Sequence, residues 1–102
     1  MHDSIYHQSL IRLTEQHFHH EELPWNDIES EQKLKVQLDL LVSHLMDHDM
    51  ERLLQVLYRV DVSEKLVKEI LSTQIPSKVS EQLSDAIIKR LKQKLFYRNK
   101  YK

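Results

Sequence analysis

The segment Leu34-Lys35-Val36-Gln37-Leu38-Asp39-Leu40-Leu41-Val42-Ser43-His44-Leu45-Met46, residues 34–46, decides the fold class. Leu34, Leu38, Leu41, Val42, Leu45 and Met46 recur at steps of three and four, the period of one helical face. Lys33, Lys35, Gln37 and Asp39 fall mostly on the opposite side. Upstream, Ser30, or Asn26 with Glu29 three residues on, supplies an N-cap for a helix of roughly twenty residues.

Working toward the C-terminus, Asp47-His48-Asp49 breaks or bends this helix, because Asp is a poor helix former and a good cap. A third helix carries Met50, Leu53, Leu54, Leu57 and Val60. Asp61-Val62-Ser63-Glu64 reads as a capping box opening a fourth, with Leu66, Val67, Ile70 and Leu71 as its inner face. After a break at Ser72–Ser77, the last helix starts between Pro76 and Ser80. It turns Val79, Leu83, Ala86, Ile87, Leu91 and Leu95 inward and frays into a basic tail from about residue 97.

Toward the N-terminus, Ser4 is placed to cap a first helix reaching about His20, with Tyr6, Leu10, Leu13 and His17 on one stripe and Ile11 and Phe18 beside it. The stretch from Glu21 to Asp27 breaks the period, since Pro24 lacks a donor and pushes Leu23 out of the helical region. Trp25 in this loop either pins it to the bundle or serves as a partner-binding hot spot. Five striped segments with short connections predict an all-α chain: a small antiparallel bundle of four to five helices in a single domain, residues 1–102.

Composition narrows the function classes. There is no glycine, where average usage would give about seven. Phosphate-cradling loops and dinucleotide fingerprints depend on glycine's access to φ > 0, so P-loop and Rossmann chemistry are excluded. The absence of cysteine removes disulfides, thiolate metal sites and a Cys nucleophile. The N-terminal segment lacks the basic stretch and apolar run of a signal peptide, and no long apolar run occurs, so a cytoplasmic location without membrane insertion is expected.

Three features carry potential chemistry. All seven histidines fall within the first 48 residues. His44 and His48, four apart on the clearest helix, project from one edge and flank its core stripe, and His17, His20 or Glu21 are candidates to complete a metal site between the first two helices. Neither His-Glu-x-x-His nor Glu-x-x-His is present, and the alternative is a set of boundary and helix-end histidines; no cofactor is expected.

Charge is polarised: residues 1–51 hold 11 acidic and 3 basic side chains (net −8), residues 52–102 hold 5 and 12 (net +7). The halves should attract each other or a second copy. Lys89, Arg90, Lys92, Lys94, Arg98, Lys100 and Lys102, interleaved with Phe96, Tyr97 and Tyr101, suit phosphates and unpaired bases, although the acidic half opposes nucleic acid and cations also favour a helix C-terminus. Tyr58 reads as a half-buried packing residue and Arg59 as a surface ion-pair partner.

No catalytic constellation emerges. Carboxylates lie on polar faces, and the adjacent Ser43 and His44 point about 100° apart on a helix. The chain reads as a non-enzymatic protein–protein interaction module, with homodimerisation as one form. A histidine-based metal-binding bundle and a nucleic-acid binder acting through the basic segment are the alternatives.

Overall fold

Stripes that can be buried only against one another produce a bundle of five α-helices. The computed structural model describes residues 2–100, with side chains described from Ile5 onward except that of His20. The helices are α1 (His2–Glu15), α2 (Glu31–His48), α3 (Met50–Val60), α4 (Glu64–Leu71) and α5 (Pro76–Lys100), with single-turn 3-10 helices at His20–Glu22 and Trp25–Asp27. No strand occurs among the described residues. No described helix is long and apolar enough to cross a membrane.

The longest helix, α5, packs against all four others and most extensively against α2. Glu31 pairs with Lys92 and Lys35 with Asp85, so α2 ascends as α5 descends: the two are antiparallel. Leu34, Leu38, Leu41, Val42 and Leu45 from α2 meet Val79, Leu83, Ala86, Ile87, Leu91 and Leu95 from α5 in one continuous core. A radius of gyration of 13.4 Å matches the roughly 13 Å of a compact chain of this length.

Local chemistry sets most helix ends. Ser30 caps α2 by accepting from the Lys33 N–H at 3.1 Å. Asp49 ends α2 and starts α3, its carboxylate accepting from the Arg52 N–H at 3.1 Å, so the Asp47-His48-Asp49 cluster breaks the helix rather than bending it. At the end of α3, Asp61 adopts the left-handed conformation (φ 70°, ψ 46°). The Asp61 N–H donates to the Tyr58 carbonyl and the Val62 N–H to that of Leu57, the Schellman pattern that glycine usually completes. Asp61 fills that role in a chain without glycine. Asp61 therefore closes α3, and Ser63, not Asp61, caps α4 through the Leu66 N–H; the expected capping box does not form.

Three other expectations change. The first helix starts at His2 and stops at Glu15, not at Ser4 and His20. Its end tightens through His17 and Phe18 N–H groups bonding i−3 carbonyls, which lets Phe18 pack on Trp25 with ring centroids 6.1 Å apart. On α4 only Ile70 is buried, with Val67 packed against the core; Leu66 and Leu71 are exposed, because a two-turn helix touching chiefly α5 covers a narrow strip. α5 continues through Lys100 instead of fraying at 97, and the Lys100 ammonium sits 5.9 Å above the Phe96 ring, an i,i+4 contact that supports the last turn.

Thr14, Ser80 and Ser84 are buried although polar. Thr14 and Ser84 donate to the carbonyls of Leu10 and Ser80 four residues back, and Ser80 to that of Ser77. Each hydroxyl is thereby satisfied inside its own helix.

Candidate interaction surface and histidine pair

The segment between α1 and α2 is fastened at two points. Trp25 is 1% exposed, and its indole N–H donates to the His19 carbonyl at 3.3 Å, which settles it as an anchor rather than an exposed hot spot. The second point is Glu22, whose carboxylate accepts from the His19 N–H at 2.6 Å and takes both Nε and Nη2 of Arg52 on α3. These side chains are 16% and 18% exposed. Burial alone raises the Glu22 pKa, but the hydrogen bonds from Arg52 and the His19 N–H, with the Arg52 charge, outweigh it and hold the carboxyl below its ordinary range.

The charge polarity of the two halves is spent partly inside the fold. Glu22–Arg52 and Glu31–Lys92 each join an N-terminal acid to a C-terminal base. Lys35 bridges Asp39 and Asp85 at the α2–α5 seam, and those carboxylates overcome desolvation to raise its pKa. Within the C-terminal half, Arg90 donates to both the carbonyl and carboxylate of Asp61.

The C-terminal half of α5 carries a basic-aromatic stripe. Positions 89, 92, 93, 96, 97 and 100 fall at helical spacing on one side of α5. Lys89, Lys92, Phe96 and Tyr97, with Glu31 from the start of α2, line an open groove of about 520 Å³ floored by Ile88. Phe96 and Tyr97 are 59% and 53% exposed and meet edge to face at 5.5 Å. Lys89 and Arg98 have no ion-pair partner among the described residues. The sequence singled out this basic-aromatic run as a tail; its organisation into a groove needed α2 beside it.

The histidines do not converge. His44 and His48 lie on exposed turns of α2, their rings stacked with centroids 4.4 Å and planes 17° apart. Both side chains are exposed beside the buried Leu41 and Leu45. His17 is half-buried near Lys94 and Arg59; desolvation first, then those two charges, lowers its pKa. The side chain of His20 lies outside the described residues. Among the described residues no group of three or more His, Cys, Asp or Glu side chains is arranged to hold a metal ion.

Two residues of α3 also depart from expectation. Tyr58 is 81% exposed rather than half-buried, and Arg59 stands near His17 with no acidic ion-pair partner among the described residues. Both are exposed, whereas α3 buries Leu53, Val56, Leu57 and Val60. Compared with known proteins, the chain matches no family model, no curated protein and no solved structure.

Proposed function

We propose that this chain is a cytoplasmic helical interaction module that docks an acidic amphipathic helix of a partner protein on the C-terminal half of α5. The observation that carries this reading is the groove in which unpaired cationic Lys89 adjoins the exposed Phe96 and Tyr97. Apolar anchors in such a groove supply contact area, and Lys89, with no ion-pair partner among the described residues, favours a partner of opposite charge. A partner protein is favoured over nucleic acid because one Phe96 face is covered by Lys100 and its ring abuts Tyr97, which obstructs base stacking.

The test is fluorescence anisotropy with a labelled acidic Glu/Leu amphipathic peptide, a scrambled peptide of equal charge, and a single-stranded RNA. The expected result is saturable, salt-sensitive binding of the amphipathic peptide only, weakened at least about tenfold in Phe96→Ala and Lys89→Glu. Equal binding of the scrambled peptide, or tighter binding of RNA, overturns the proposal.

A further inference from the structure

A second surface, remote in sequence from the α5 groove and independent of that reading, is the last two turns of α2. His44 and His48 are both exposed there and stacked on each other. The Nδ1 atom of His48 lies 3.1 Å from the carbonyl oxygen of His44. A carbonyl only accepts, so in the neutral imidazole Nδ1 carries the proton, which leaves the lone pair on Nε2. That is the tautomer a metal-bound imidazole adopts, with the non-ligating N–H tied to a backbone carbonyl that fixes the ring. The helix therefore holds one imidazole in ligating form and a second within one turn of it.

Two imidazoles supply half of a tetrahedral zinc shell. No third ligand from the described residues of this chain joins them. One turn back on the same ladder, Leu40 is 63% exposed, and Val36 extends the apolar strip by another turn. We propose that His44 and His48 are half of a zinc site completed by the same pair from a second copy, and that the ion bridges a two-fold homodimer. A two-fold axis through the ion brings four imidazoles together from one repeated surface, which is the ordinary geometry of an isologous dimer. Leu40 flanks that axis and is covered by the partner. His48 keeps its Nδ1–carbonyl bond, and the exposed His44 ring rotates out of the stack to converge on the ion.

Sedimentation velocity of the untagged full chain, with zinc chloride or with EDTA, reads the outcome directly. The expected result is a monomer in EDTA and a dimer with zinc at one ion per two chains, reversed by chelation. His44→Ala and His48→Ala remain monomeric with zinc while keeping the wild-type circular dichroism, because both side chains are exposed. His7→Ala/His19→Ala dimerises as the wild type does. Three results overturn the proposal: zinc bound one per monomer without assembly, a zinc-dependent dimer that survives in His44→Ala, or a dimer already present in EDTA.

Discussion

The Glu22–Arg52 pair ties the irregular segment after α1 to α3 across 30 positions of sequence, and its removal tests whether that segment is held by charge or by Trp25 alone. Solvent-exposed ion pairs contribute about 0.2–1 kcal/mol, whereas hydrogen bonds to charged groups reach about 1.5–3 kcal/mol. With both side chains less than one-fifth exposed and two Arg52 nitrogens on one carboxylate, the pair belongs nearer the second range. A coupling of about 2 kcal/mol is expected from a double-mutant cycle of Glu22→Gln, Arg52→Met and the double variant, read by urea denaturation. For a domain of this size that is a Tm shift of about 10 °C. Because the folded pKa of Glu22 lies below its unfolded value, the contribution is fully present above the ordinary carboxyl pKa and is lost as pH falls through the folded value. The coupling should therefore be similar at neutral and mildly acidic pH and fade below about pH 4.5. A cycle energy under about 0.5 kcal/mol at neutral pH would refute the reasoning and leave the segment anchored by Trp25.

Other outcomes follow from single side chains. Trp25→Ala should cost about 3–5 kcal/mol and Trp25→Phe distinctly less, since the ring is buried against Phe18; a loss below about 1 kcal/mol would show that the segment is not anchored there. His17 has a folded pKa below its ordinary 6.5, so the unfolded chain takes up the proton first and stability falls as pH drops from 6.5 toward the folded value. Urea midpoints above and below pH 6.5 should differ in the wild type more than in His17→Gln, and an identical pH response in both proteins contradicts the assigned burial.

Much of the helix pattern was legible locally. The α2 and α5 stripes read from spacing are buried except for the partly buried Met46, because long helices that pack on each other bury whole faces. The caps at Ser30 and Asp49 are short-range side-chain chemistry and needed no tertiary knowledge. The end of α1 was not legible, since nothing in Gln16-His17-Phe18-His19 forbids another turn; the helix stops there as Phe18 joins Trp25 in the core. On α3 the buried Val56 was not singled out, and Leu54, one of the apolar residues that were, is exposed, because an eleven-residue stripe leaves its rotation to the neighbours. The same ambiguity misplaced Leu66 and Leu71 on α4. The histidine candidates show this limit most sharply. Spacing put His44 and His48 together, and they do stack, but whether their edge faced the first helix or open space was undetermined.

The sequence by itself determined that this chain is helical, roughly where its helical segments lie, and that glycine-dependent and thiol chemistry are absent, because these depend on period and residue inventory. It also marked the basic-aromatic run and the i,i+4 histidines as the groups with potential chemistry. Only the tertiary structure decided which stripes are covered, which acids neutralise which bases, and that Phe96, Tyr97, His44 and His48 face outward. The reason is physical: helical periodicity defines a face within one segment, but burial depends on the neighbour that meets it, and that neighbour is chosen by the packing of the whole chain.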